Sequence, residues 1–213
     1  MTAYARAERG ALCDLMLEVG PDAPTLCEGW DARDLAAHLV IREHRPDASV
    51  GIIVPAMAGW TQKVQDEAAR RPFPTLVEQV RGGPPVYSPF RLPGVDEQAN
   101  LFEYLVHHED VRRAVPGWEP REIDPAMADL LWARLGRSGR MLWGKVPGGV
   151  VLHRTGTDPA PAPAVVRPGG AGVTITGDVV ELVMHGFGRS EARVTVTGSD
   201  AAVAAYQGAR RGL

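Results

Sequence analysis

Cysteine is scarce in this chain: of its 213 residues only Cys13 and Cys27 are cysteines, and they do not form a C-x-x-C pair. Two thiols are too few for the disulfide framework that stabilises small secreted domains. Both are therefore predicted to be free thiols, and the simplest interpretation of each is a small, buried hydrophobic side chain.

Long apolar runs are missing as well. No stretch of 18 apolar residues occurs, and a transmembrane helix needs about that length. Near the N-terminus, Glu8 and Arg9 stand where a secretory signal peptide requires an apolar segment. These observations predict a cytoplasmic protein with no membrane partner.

Neither sign of charge dominates the sequence. The net charge is −3, acidic and basic residues are interleaved, and the only lysines are Lys63 and Lys145. A protein that binds nucleic acid usually carries a basic patch or stripe, so this pattern disfavours nucleic acid as a partner. The composition, 45% hydrophobic and 23% charged, is that of an ordinary globular protein.

Several familiar catalytic motifs are also absent. The chain contains no G-x-S-x-G, H-E-x-x-H or G-x-x-x-x-G-K-[ST] segment, so a hydrolase elbow, a zincin helix and a P-loop have no support. Gly186 and Gly188 begin a G-x-G-x-x-G pattern, but the third glycine is missing and the segment follows a predicted helix. We interpret it as a turn.

What the chain does contain is a change of hydrophobic period after Gly144. Apolar residues recur at helical spacing before it, whereas short β-branched runs separated by glycine and proline follow it. Helices are predicted over 3–19, from Asp31, over 54–70, over 95–115 and from Asp124, and strands over 146–154, 163–167, 172–176 and 193–197. The predicted fold class is α+β, with a helical bundle in residues 1–145 and a small α+β domain in residues 146–213.

The most informative stretch is N-L-F-E-Y-L-V-H-H-E-D, from Asn100 to Asp110. Glu103 is the only charged side chain between Asn100 and His107, and a carboxylate in an apolar run needs a proton, a cation or a metal. On a helix, Glu103 and His107 share one face one turn apart, whereas His108 points elsewhere. This spacing is typical of half of a metal site on a helix.

A third candidate ligand is predicted on the second helix. Asp31 and Asp34 form a capping-box pattern that fixes the start of this helix, and His38 falls on its apolar stripe beside Leu35. A lone inward histidine is more often a core residue than a ligand. Because another helix offers Glu103 and a second histidine, the combination favours a metal site.

These two segments resemble a known family. G-W-D-A-R-D-L-A-A-H-L and L-F-E-Y-L-V-H-H-E-D-V-R-R-A are similar to segments of the mycothiol-dependent maleylpyruvate isomerase N-terminal domain family, within the DinB-like metal-binding superfamily. The resemblance implies a DinB-like four-helix bundle followed by a sterol-carrier-like α+β domain. It also implies a divalent metal, usually zinc, held by His38, Glu103 and His107.

The resemblance further implies an enzyme that uses mycothiol. Three protein ligands leave one position of a tetrahedral zinc open, and a metal there can activate a low-molecular-weight thiol against an electrophilic substrate. An isomerase or an S-transferase is the first hypothesis, and a metal-dependent hydrolase on the same scaffold is the second. A non-catalytic module that binds a metal and an apolar ligand is a third. A metal-free ion pair of Glu103 with Arg42, or with an arginine of the fifth helix, is a fourth.

Overall fold

The computed structural model describes residues 4–49, 51, 54–86, 88 and 95–212, and it leaves the side chains of residues 46, 49, 55 and 95–99 undescribed. Contacts divide the chain into two compact units, Met1–Glu119 and Pro120–Leu213. The described part of the first unit is helical, and the second combines helices with a sheet. The predicted α+β class is confirmed.

The first unit is built from six helices in its described residues. They are α1 (Tyr4–Val19), α2 (Ala32–His44), α3 (Pro46–Ser49), α4 (Ala58–Ala69), α5 (Phe73–Gly82) and α6 (Val95–Arg112), with a 3-10 turn at Pro55–Met57 before α4. Helix α1 packs against α5 and α6, and α2 packs against α4 and α5. Their inward faces form a core that includes Leu12, Met16, Leu35, Leu39, Leu76, Val80 and Tyr104.

The second unit begins with a capped helix. Helix α7 (Pro125–Trp143) starts as predicted, because the Asp124 side chain accepts from the backbone of Ala126 and Met127. The remaining elements are β1 (Val150–Arg154), β2 (Ala164–Arg167), β3 (Val173–Gly177), α8 (Val179–Gly186), β4 (Thr195–Gly198) and α9 (Asp200–Gln207). The sheet order is β2-β1-β3-β4, and β1 pairs in parallel with β3 only, so the sheet is mixed.

Helix α7 lies in a different unit from the one expected. The sequence predicted a boundary near residue 145, whereas the contacts divide the chain at Glu119, before this helix. Gly139 shows the cause: it has no room for a Cβ against Val166 of β2, so α7 packs closely on the sheet. A change of hydrophobic period marks where strands begin, and it carries no information about which unit a neighbouring helix joins.

The buried face before and within α4 needs one correction. The helical spacing over residues 54–70 predicts an inward face of Val54, Met57, Ala58, Thr61, Val64 and Ala68. Val54, Met57 and Ala58 are instead exposed, while Thr61 and Val64 are buried. These exposed residues lie before α4 or at its first position, ahead of the buried residues Thr61 and Val64. The density of proline and glycine from Gly82 to Gly94 also predicts a loop, and residues 87 and 89–94 of this segment lie outside the described residues.

No helix in the described part of the chain has the length and hydropathy needed to cross a bilayer.

Candidate metal centre

Helix α2 places His38, and a complete cap fixes the start of this helix. The Asp31 side chain accepts from the backbone N–H of Asp34, and the Asp34 side chain accepts from the N–H of Asp31 at 3.4 Å. The predicted capping box is therefore confirmed. Trp30, directly before the cap, lies against the His38 ring with 5.0 Å between ring centroids, so the imidazole is held from its N-terminal side.

Helix α6 places the other two predicted ligands one turn apart. The Oε1 atom of Glu103 lies 3.4 Å from His38 Nε2 and 3.4 Å from His107 Nε2. The two imidazoles face each other edge to face, with their centroids 5.6 Å apart. The structure thus brings all three predicted residues together, with side-chain exposures of 10%, 20% and 12% for His38, Glu103 and His107.

The two distances from Glu103 Oε1 to the histidine nitrogens fit a tetrahedral metal. Zinc bonds of about 2.0 to 2.1 Å to nitrogen and oxygen give ligand-to-ligand distances of roughly 3.3 Å in a tetrahedron. A charge-assisted hydrogen bond between an imidazole and a carboxylate is shorter, about 2.7 to 2.9 Å. The two 3.4 Å contacts of Glu103 Oε1 match the first spacing and exceed the second. Two imidazole nitrogens and one carboxylate oxygen are also ligands that zinc accepts.

The other ring nitrogen of His107 points at a carboxylate. Asp110 Oδ2 lies 2.9 Å from His107 Nδ1, which is a hydrogen-bond distance, and the Asp110 side chain is fully buried. In this pairing Nδ1–H donates to Asp110, which leaves the lone pair on Nε2 in neutral His107. The arrangement is the carboxylate–histidine pairing that orients metal ligands in other proteins.

Cys27 completes a second group beside the first. Its Sγ lies 3.2 Å from Asp110 Oδ2 and 3.8 Å from His107 Nδ1, so Cys27, His107 and Asp110 also form a potential metal-binding group. Because His107 Nδ1 and Asp110 are at hydrogen-bond distance, we interpret this second group as one that orients His107 in the group of His38, Glu103 and His107. Cys13, in contrast, lies in the core, where burial raises the pKa of its thiol to about 12.

Arg42 also contacts Glu103. Its Nε lies 3.2 Å from Glu103 Oε1, so the ion pair that the sequence left as an alternative is present. Both histidines nevertheless face the same oxygen, and an ion pair with one arginine does not account for that convergence. Among the described residues, no fourth histidine, cysteine or acidic side chain joins the group of His38, Glu103 and His107.

The pKa directions show how the cluster shares charge. Burial acts to raise the pKa of Glu103, but the close contacts with His107 and His38 and the charge of Arg42 hold it well below its usual value. Burial lowers the pKa of His38. Burial also acts to lower the pKa of His107, but the hydrogen bond with Asp110 and the contacts with Cys27 and Glu103 raise it well above its usual value. The metal-free cluster therefore holds an ionised Glu103, a neutral His38 and a protonated His107.

Two solved structures resemble this chain. One is described as the crystal structure of the mycothiol-dependent maleylpyruvate isomerase, with a TM-score of 0.60 and 15% identity over 91% of this chain and 90% of that chain. The other is a histidine-to-alanine mutant of the same enzyme, with a TM-score of 0.61 and the same identity and coverage. The chain shares their fold. Neither a protein-family model nor a curated protein sequence matches it.

This shared fold supports the resemblance seen in the sequence. Two residues beside the site were nevertheless missed by sequence reasoning. Asp110 follows His107 by three positions, a spacing that places both on one helix face, so E-x-x-x-H-x-x-D could have predicted the pairing. No local signal could have predicted Cys27, because it reaches the site from the loop before α2.

The remaining histidines of the first unit lie outside the cluster. His108 pairs with Glu8 of α1 at 3.0 Å, in agreement with its predicted direction. The charged residues around His44 in the sequence predict a solvated side chain, but His44 is partly buried, and burial lowers its pKa.

Metal binding is expected to release about one proton near pH 7.5, because His107 must lose its Nε2 proton to become a ligand. The raised pKa of His107 means that its protonation stabilises the metal-free fold below the unfolded pKa of about 6.5. That stabilisation is lost as the pH rises through the folded-state pKa. Metal affinity should fall about tenfold per pH unit below this pKa. Calorimetry in buffers with different ionisation enthalpies measures the proton count.

The matched variant is Asp110→Asn. It removes the main partner that raises the pKa of His107, so the number of protons released at pH 7.5 should fall towards zero. Unchanged proton release in this variant would show that Asp110 does not set the protonation of His107. Affinity that stays flat from pH 8 to pH 5 in the unmodified protein would argue against imidazole ligands.

Proposed function

We propose that this chain is a divalent-metal enzyme, most simply a zinc enzyme, in which His38, Glu103 and His107 hold the metal. The enzyme would use a low-molecular-weight thiol such as mycothiol in an isomerase or S-transferase reaction. The observation that carries the proposal is the convergence of two imidazole nitrogens on Glu103 Oε1 at 3.4 Å each. The solved structures with the same fold are of a mycothiol-dependent maleylpyruvate isomerase and its mutant.

The number of candidate ligands supports catalysis over a purely structural role. Structural zinc sites are closed by four protein ligands, whereas catalytic sites keep one position for water or substrate. Here the described residues supply three, and Glu103 remains 20% exposed. When bound, zinc would supply Lewis acidity, which favours the thiolate form of a bound thiol near neutral pH.

The chain's own residues would prepare this site. Asp110 orients the His107 ring and fixes which nitrogen carries the proton. Trp30 lies against His38 and limits its rotation. The thiol and an electrophilic small molecule are the proposed partners, and the cytoplasm is the proposed location. The finer fold assignment, a DinB-like four-helix bundle with a sterol-carrier-like domain after it, belongs to the same proposal.

The hydrolase and the binding module remain the competing functions. Both would keep the metal, so metal content alone does not separate them from a thiol-using enzyme. A hydrolase would use metal-bound water and a binding module would hold the metal without reaction, and neither requires that a small thiol enter the first coordination shell. The response to an added thiol therefore discriminates between the functions.

Cobalt substitution is expected to make thiol binding visible. A thiolate is a soft ligand that zinc-type sites accept readily. Adding mycothiol, or a close analogue, to the cobalt-loaded protein should therefore produce a sulfur-to-metal charge-transfer band in the near-ultraviolet spectrum. Glu103→Ala should abolish the band because it removes a metal ligand.

Cys27 provides the necessary control, because its thiol lies 3.8 Å from His107 Nδ1 and could give the same band without any cofactor. In the Cys27→Ala variant, a band that appears only after the thiol is added supports the proposed function. A cobalt-loaded Cys27→Ala protein that responds to no small thiol would favour the hydrolase or the binding module.

A further inference from the structure

Arg42 stands on the same face of α2 as His38, one turn further along the helix. Its Nε lies 3.2 Å from Glu103 Oε1, the oxygen that both histidines face. A carboxylate oxygen carries two lone pairs, so Oε1 can bind a metal with one and accept from Arg42 with the other. The guanidinium can therefore remain in place when the metal is bound.

A network of buried polar groups holds Arg42 in this position. Its Nη1 donates to Asn100 Oδ1, and the amide nitrogen of Asn100 donates to Glu43 Oε1 at 3.0 Å. The same Glu43 oxygen accepts from Tyr104 at 2.7 Å and from Arg9 at 2.8 Å. Because Glu43 takes the amide nitrogen, the carbonyl oxygen of Asn100 is turned towards Arg42. The orientation of Arg42 is thus set from outside the metal cluster.

Arg42 determines the net charge of the groups around the metal site. A divalent metal contributes two positive charges, Glu103 and Asp110 contribute one negative charge each, and two neutral histidines contribute none. Glu43 and Arg9 compensate each other. Without Arg42 this group of contacts is neutral, and with Arg42 it carries one positive charge. A net positive charge in a partly dehydrated site favours an anion over a neutral molecule.

We propose that Arg42 is the specificity-determining residue that makes the fourth position of this metal site select an anionic ligand, of the thiolate or carboxylate class. The proposal rests on the metal site of the proposed function and adds the class of ligand that the open position takes. Arg42 acts through Glu103 and through its charge, so it is a positioning residue and not a catalytic one. Asn100 and Glu43 hold it there.

The test uses the cobalt-loaded full chain and two probe ligands, thiocyanate as the anion and imidazole as the neutral ligand. Visible absorption of cobalt reports both titrations. In Arg42→Gln, thiocyanate affinity should fall about tenfold, because one charge close to the ligand is removed. Imidazole affinity should change by less than about twofold. Arg42→Lys keeps the charge and should keep thiocyanate affinity within about threefold of the unmodified protein.

Two further variants complete the design. Arg45→Gln removes an arginine from the end of the same helix, where it is exposed and paired with Asp47, and it should leave both affinities unchanged. Arg42→Met is a second neutral variant that keeps much of the apolar stem. If Arg42→Gln folds poorly, Arg42→Met should show the same loss of thiocyanate affinity.

Equal thiocyanate affinity in the unmodified protein and the neutral Arg42 variants would overturn the proposal. So would an equal fall in thiocyanate and imidazole affinity, because that pattern indicates general damage to the site. Failure of the unmodified protein to bind cobalt would instead contradict the metal site of the proposed function, so the two failures are distinguishable.

Discussion

Replacing His38, Glu103 or His107 by alanine, one at a time, is expected to lower zinc affinity by at least about a hundredfold. Substitutions in the outer shell of a metal site already cost 10- to 100-fold, and each of these changes removes one of the three proposed direct ligands. The unmodified protein should contain about one equivalent of zinc after gel filtration. Elemental analysis of the purified variants measures the loss, and competition with a chromophoric chelator measures the affinity.

The controls for this experiment are His44→Ala and His108→Ala. His44 lies outside the cluster, and His108 faces Glu8 of α1 at 3.0 Å, so both variants should retain the metal. Because His108 is buried, its variant needs a circular dichroism spectrum to establish that it is folded. Strong metal loss in His108→Ala together with retention in His107→Ala would show that the wrong face of α6 was assigned to the site.

The grouping of His38, Glu103 and His107 could be predicted because its signals are local. A capping box fixes the first turn of α2 and hence the direction of His38, and four-residue spacing fixes the relation of Glu103 to His107. Each helical pattern alone predicts only part of a metal site. The apolar surroundings of Glu103 supplied the remaining inference, because a carboxylate in such a segment requires a partner.

The polar network behind the site could not be predicted in the same way. Arg42 and Glu43 follow each other in a charged segment at the end of α2, and hydrophobic periodicity treats such a segment as exposed. Glu43 is nevertheless buried, because Arg9, Asn100 and Tyr104 reach it from two other helices. Whether a charged residue is buried depends on partners that are distant in sequence, and a single helix contains no information about them.

The domain boundary shows the same limitation. Residues 125–143 carry a helical pattern, and the sequence assigned them to the preceding bundle because helices came before them. Gly139 of α7 has no side chain, so the helix lies directly against Val166 of β2 and packs on the sheet. A glycine within a helical pattern indicates that close packing is possible there, but not which surface the helix approaches.

Replacing Glu43 by alanine is expected to lower the free energy of unfolding by about 3 to 5 kcal/mol. Three donors converge on its Oε1: a guanidinium nitrogen of Arg9 at 2.8 Å, the Tyr104 hydroxyl at 2.7 Å and the Asn100 amide at 3.0 Å. Arg9 is itself only 5% exposed, so the substitution leaves a buried cation without this carboxylate. Urea denaturation of the metal-free protein, followed by circular dichroism, measures the change.

The size of this effect depends on Arg9 losing a compensating charge and not on the loss of packing around Glu43. Glu67→Ala, at an exposed position of α4, should change the free energy of unfolding by less than about 0.5 kcal/mol. The double variant Arg9→Met with Glu43→Leu removes both charges and fills similar volumes, so it should recover most of the stability lost in Glu43→Ala. If the double variant is instead as unstable as the single one, the hydrogen bonds of Asn100 and Tyr104 to Glu43 carry the stabilisation, and the charge pair with Arg9 does not.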